Sequence, residues 1–252
     1  VPLQPRGFQT PIFGIGGHNG DVFCYRALVR HLGSEQPFYG LQPPGADGQA
    51  KPLDRVEDLA AYFAAQILAF HGTARCVLAG FCAGGGIAFE LALQLQRAGS
   101  AVSYLALFGA PYPRRYGRLR MMQERLDNEY QRWSRHALAL ADRPPREWQE
   151  YLATKKRDRA ARLAAEQSTE PSDAVLKLRS KVENATVAAM RRYSPGRFTG
   201  RMGIFVPCRD WIHDYDEPLR WRAHSDASEE HFGPVGCDRS NMLREPHGAT
   251  LA

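Results

Sequence analysis

The stretch from Cys76 to Gly99 constrains this 252-residue chain more than any other. Cys76 to Phe81 (CVLAGF) is a short apolar run, the pattern of a strand buried on both faces. Cys82 and Ala83 follow, then three successive glycines, Gly84 to Gly86, and then IAFELALQLQRAG, whose helical periodicity stops at Gly99. A buried strand that passes this quickly into a helix belongs to a βαβ unit, and the flanking segments repeat the alternation. Pro11 to Ile15 is a strand run ending in Gly16-Gly17, and Phe23 to Leu32 reads as a helix. Phe38 to Leu41 is a second strand, and Val56 to Phe70 a second helix with Asp54 as its expected N-cap. Val102 to Phe108 is the strand after the constraining unit. The fold class is therefore α/β, a mostly parallel sheet covered on both faces.

From Tyr112 to about Arg192 the pattern becomes helix after helix, broken near Arg143-Pro144-Pro145 and Pro171-Ser172-Asp173. Strand signals return at Met202 to Val206 and, more weakly, near His231 to Val235. The simplest architecture is one α/β domain with a helical insertion of about 80 residues, a lid-sized element of the kind that covers an active site. Mean hydropathy is −0.43, and no apolar run approaches the roughly 18 residues of a membrane span. The start, VPLQPRGFQTPIF, has neither the basic beginning nor the apolar core of a signal peptide. Five scattered cysteines, without a CxxC pair or a Cys/His cluster, argue against a disulfide framework and against a metal site. A cytoplasmic location is the expectation.

Gly80-Phe81-Cys82-Ala83-Gly84 has the form G-x-C-x-G between strand and helix, the context of a nucleophile elbow. Glycines on both sides permit the close chain approach that a strained turn needs. The following helix aims its N-terminus at the thiol and favours the thiolate, and the backbone N–H of Ala83 is free for an oxyanion. Cys24 and Cys76 read as buried structural cysteines. No G-K-[ST] follows the glycines, so a phosphate loop is excluded.

VPLQPRG, CYRALVRHLG, FYGLQPPG, GFCAGGGIAFELA and MLREPH, in this order, resemble type I thioesterase domains, the α/β-hydrolase domains that end nonribosomal peptide and polyketide synthetases. The resemblance covers nearly the whole chain and is weakest in the helical insertion. It implies an α/β-hydrolase fold with residues 11–252 as the thioesterase domain, 1–10 as a linker from an upstream carrier protein, and 112–192 as a lid. It implies a peptidyl thioester delivered on the phosphopantetheine arm of that carrier, with no cofactor of the domain's own, no nucleic-acid or membrane partner, and a monomer. It also implies a second oxyanion donor from Gly16-Gly17-His18-Asn19-Gly20, at the backbone N–H of His18.

Three positions depart from the family pattern. Cys82 replaces the usual serine; Gly109, in LALFGAPYP, stands where the triad aspartate is expected; and Arg239, in CDRSNML, stands in the histidine slot. Asp210, after the strand MGIFVPCRD, is a candidate relocated acid, with Asp238 an alternative. His18 is a candidate base, His247 a weaker one, and His224 and His231 are expected at the far end of the last strand. A thiol ionises far more readily than a hydroxyl, so a cation such as Arg239 could serve where a strong base is missing. Cysteine members of the family resemble this chain further and are associated with release of β-lactones and N-sulfonated β-lactams, as in monobactam (sulfazecin-type) synthetases. The resemblance then implies acylation of Cys82 and release by closure of a strained four-membered ring, with Arg239 as an anion contact. Hydrolysis to a linear peptide, macrocyclisation, and a non-catalytic carrier-docking module are the alternatives.

The formal net charge is +6, and it is unevenly spread: Pro111 to Arg201 holds 21 basic and 11 acidic residues, the remainder 12 and 16. No nucleic-acid recognition motif accompanies the charge. Arg114, Arg115, Arg118 and Arg125 read as solvated surface, some of it suited to docking an acidic carrier domain.

Overall fold

A computed structural model describes residues 1–45, 47–113, 174–209 and 217–251. The chain divides into two compact units, residues 1–115 with 178–252, and residues 116–177. Apart from the first residues of one helix, everything described below belongs to the first unit. The expected helix breaks at 143–145 and 171–173, the arginines from Arg114 to Arg125, and Asp210 lie outside the described residues.

Seven strands form one sheet in the order β1-β3-β2-β4-β5-β6-β7. They are β1 (Pro2–Gln4), β2 (Ile12–Ile15), β3 (Phe38–Leu41), β4 (Cys76–Phe81), β5 (Val102–Phe108), β6 (Phe198–Val206) and β7 (Ser225–Phe232). Only β1 runs antiparallel, against β3. The helices are α1 (Arg26–Leu32), α2 (Val56–His71), α3 (Gly84–Arg97), α4 (Ala174–Arg192) and the short α5 (Gly248–Leu251). β4 lies between β2 and β5, with Gly80 opposite Ile15 and Phe81 opposite Phe108.

The period-two alternation of β4 sorts its side chains between two cores. Leu78 joins the larger core with Phe63, Ile67, Phe89 and Trp221, where α2 and α3 cover the sheet. Ala79 joins the smaller one with Tyr25, Leu28, Phe38 and Met242, under α1 and the C-terminal loop. Because both faces are covered, β4 is apolar throughout, which is why its sequence carries no polar alternation.

Four boundaries differ from the sequence reading. Residues 22–25 form a 3-10 turn before α1, whose first N–H groups are served by Asp21 accepting from Phe23 N (3.0 Å). The Asp54 carboxylate does not cap α2; it accepts from Arg192 at 3.0 Å, and Arg55 holds the N-cap position. α3 begins at Gly84 because the glycines form its first turn. The last strand is Ser225–Phe232, earlier than the apolar signal near His231 to Val235. It is an edge strand of sequence SDASEEHF, partly solvated along its length, so charge rather than apolar alternation marks it.

Candidate active site

The elbow is built by close backbone approach. Cys82 has φ +52°, and among the described residues it is the one non-glycine residue with positive φ. Such a conformation costs about 1–3 kcal/mol and survives only where its surroundings hold it. Here Cys82 N–H donates to Phe108 O on β5 (2.9 Å), and Cys82 O accepts from Gly85 N–H (3.0 Å). A Cβ on Gly80 would lie 2.6 Å from Gly84 O and Gly85 Cα, and one on Gly84 would lie 2.6 Å from Ile15 O and against Gly16 O. The glycines thus bring the start of α3 against the ends of β2 and β4, which lifts the thiol beyond the sheet edge.

Three groups act on Cys82: the His18 side chain, the Arg239 guanidinium and the Ala83 backbone N–H. The loop that carries His18 lies against it, since a Cβ on Gly17 would come 3.8 Å from Cys82 Cβ. Burial alone would push the thiol up. The His18 hydrogen bond, the Arg239 charge and the Ala83 N–H outweigh it and hold the thiol below its ordinary range. The other shifted thiols move the opposite way through burial: Cys24 to about 12, Cys76 and Cys237 to about 11. His18 moves up, chiefly through its hydrogen bond to Cys82; burial opposes this, and the Glu183 carboxylate adds to it.

Glu183 is the residue that sequence reasoning missed. Its Oε1 lies 3.2 Å from His18 Nε2, and one turn earlier Arg179 lies 3.9 Å from Asp21 on the same loop. The periodicity of α4 (Val182, Thr186 and Ala189 all buried) marks its inner face. The pairing with a loop some 165 positions earlier has no local signal.

The two unusual positions Gly109 and Arg239 share one volume. Gly109 has φ +52°, and a Cβ there would meet Met242 Sδ at 2.9 Å and Arg239 Cγ at 3.3 Å. The stem of Arg239 therefore runs where a side chain at position 109 would project.

The remaining candidates lie elsewhere. The Asp238 carboxylate is occupied by Ser240 and Asn241, which cap its turn and hold it below the usual carboxylate range. His247 is half-buried with Nδ1 unbonded, and its charged neighbour is Asp238. His224 is bonded to Tyr112 Oη and Gly196 O, both at 2.7 Å, at the start of β7. His231 lies near the other end of that strand, stacked on Phe205 with centroids 4.5 Å apart, rather than at the far end with His224. Among the described residues no group of three or more His, Cys, Asp or Glu could hold a metal ion, and no helix is long and apolar enough to cross a membrane.

Residues 10–232 match the family model described as thioesterase domain. The chain belongs to the thioesterase domain family. Its relatives include a dimodular nonribosomal peptide synthase of Bacillus subtilis (strain 168), 27% identical over 97% of this chain and 10% of that protein. Indigoidine synthase of Dickeya dadantii (strain 3937) is 35% identical over 45% of this chain and 8% of that protein. The chain thus spans about a tenth of the length of the curated relatives it matches. Among solved structures, the NocB thioesterase domain in covalent complex with a fluorophosphonate nocardicin G analog superposes with TM-score 0.68 at 16% identity, over 99% of this chain and 94% of that one. The Vlm2 thioesterase domain bound with a dodecadepsipeptide gives 0.64 at 21%, over 100% and 93%. These likenesses show the α/β-hydrolase fold in this thioesterase domain.

Proposed function

We propose that this thioesterase domain releases the product of a nonribosomal peptide synthetase through a cysteine acyl-enzyme. The observation that carries the reading is a thiol at a positive-φ elbow, beside an imidazole and a guanidinium, and held below its ordinary pKa. A peptidyl group arrives as a thioester on the phosphopantetheine arm of a carrier protein. His18 takes the Cys82 proton; the thiolate attacks the thioester carbonyl carbon, and the oxyanion accepts from Ala83 N–H and from His18 N–H. The carbon–sulfur bond to pantetheine then breaks, and the departing thiolate takes the proton from the His18 imidazolium.

Release follows by attack of an internal nitrogen on the carbonyl carbon of the Cys82 thioester: its proton passes to His18, the carbon–sulfur bond breaks, and Cys82 leaves and regains the proton as a four-membered lactam closes. A positioned internal nucleophile competes well with water, since effective concentrations reach about 10⁵–10⁸ M. An N-sulfonate beside the reacting nitrogen would suit the Arg239 guanidinium through charge-assisted bonds. A second reading rests on His18: an imidazole beside an acyl group also activates water, and the product is then a linear peptide.

The test is incubation with a carrier-bound peptide ending in N-sulfonated 2,3-diaminopropionate. Intact-mass analysis should show a Cys82 adduct, and the product should be the lactam. Linear acid alone overturns ring closure in favour of hydrolysis. Release undiminished in Cys82→Ala overturns the acyl-enzyme, and a Cys82 inert to thiol reagents near neutral pH favours a docking module.

A further inference from the structure

We propose that Glu183 is the positioning carboxylate for His18, so that the base and its acidic partner come from the loop after β2 and from α4. This rests on the reading of His18 as the base for Cys82. Neither position belongs to the loops after β5 and β7, where Gly109 and Arg239 stand.

Three observations support it. The Glu183 Oε1 to His18 Nε2 distance is 3.2 Å, an ion-pair geometry as soon as the imidazole is protonated. The same face of α4 places Arg179 near Asp21, so two pairs of alternating sign set the helix in one register against the loop. Finally, α4 is anchored deeper in the fold: Tyr193, the residue after its last turn, donates its hydroxyl to buried Glu90 (3.0 Å), and Met190 lies over Gly86 in the first turn of α3. The carboxylate is therefore carried by an element fixed against the elbow itself.

The proton balance is simple. When the Cys82 proton moves to His18, a thiolate and an imidazolium appear together. Glu183 stabilises the imidazolium and is not itself protonated. The charged groups acting on His18 are Cys82 from the elbow, Glu183 from α4 and Arg239 from the loop after β7. Arg239 opposes protonation of His18, whereas Cys82 and Glu183 favour it. Asp21, on His18's own loop, faces Arg179. His18 and Glu183 are each close to half-exposed, at 45% and 46% of side-chain area, so solvent moderates the pair.

The test measures the His18 titration by NMR and Cys82 alkylation against pH in Glu183→Gln, Glu183→Asp, Arg179→Gln and His18→Ala, with Asp210→Asn as the rival acid. The expectation is that Glu183→Gln lowers the His18 pKa and slows labelling at neutral pH about two- to fivefold, the range of a half-exposed ion pair. Glu183→Asp should restore part of both, and Arg179→Gln should change both less than Glu183→Gln does. An unchanged His18 titration in Glu183→Gln overturns the proposal, as does an equal effect from Arg179→Gln, which would mark helix docking as the cause. A matching loss in Asp210→Asn alone also overturns it. Labelling undiminished in His18→Ala removes the base reading itself, a failure distinct from that of Glu183.

Discussion

Gly109 and Arg239 compete for one volume, so a substitution at either acts on the other. With the Arg239 stem beside it and Met242 Sδ 2.9 Å from where its Cβ would be, Gly109 cannot take back a carboxylate without displacing both. Gly109→Asp should therefore destabilise the domain by about 1–3 kcal/mol through positive φ and overpacking, and give no gain in acyl loading. Urea denaturation and a carrier-loading assay check the two halves. The thiol offers a second measurement at this scale. Because folding lowers the Cys82 pKa, its thiolate forms at lower pH than that of an ordinary cysteine, while Cys24, Cys76 and Cys237 stay protonated beyond it. Alkylation near neutral pH should fall on Cys82 ahead of those three. Arg239→Gln should move its midpoint upward, because a favourable charge is lost. The same depression makes the thiolate a contributor to stability above the ordinary thiol range, lost as pH falls through the native value.

At the scale of elements, the elbow depends on α3 beginning within its own glycines. Gly84→Ala would place a Cβ against the carbonyl oxygens of Ile15 and Gly16, backbone atoms at the end of β2. These cannot rotate away, so α3 must withdraw from the loop that carries His18. The expected result is a loss of about 1–3 kcal/mol in denaturation and slower Cys82 labelling, the two moving together. This dependence also explains what the sequence disclosed. The elbow is a local object, with strand, turn and helix contiguous from Cys76 to Arg97, and its geometry was legible in the spacing of Gly80, Cys82 and Gly84. The succession of strands and helices along the chain, and so a mostly parallel sheet, was legible for the same reason. Glu183 was not, since its role depends on α4 returning beside a loop far away in sequence. Ser225–Phe232 was misplaced because an edge strand needs no apolar face, and Asp54 was misread because its carboxylate is engaged by Arg192 across the fold.

For the whole molecule, the uneven charge bears on how the domain would meet the carrier proposed above. Residues 111–201 carry 21 basic against 11 acidic side chains, while the remainder has an acidic excess. A field of one sign confined to one segment steers an acidic partner and screens over about 10 Å at 0.1 M salt. In the described part of that segment, Arg179 and Arg192 each lie within ion-pair distance of an aspartate, so charge there is already balanced against the scaffold. Arg114, Arg115 and Arg118 stand together at the start of the segment, and they are the group to replace. Changing the three together to glutamine should weaken carrier association several-fold at low salt and flatten its dependence on ionic strength. Turnover of a short peptidyl thioester lacking the carrier should be unchanged, because the loss concerns encounter rather than acylation. Titration of carrier binding between low and high salt reads the slope directly. An affinity and a salt slope equal to those of the parent domain would assign carrier docking to another surface.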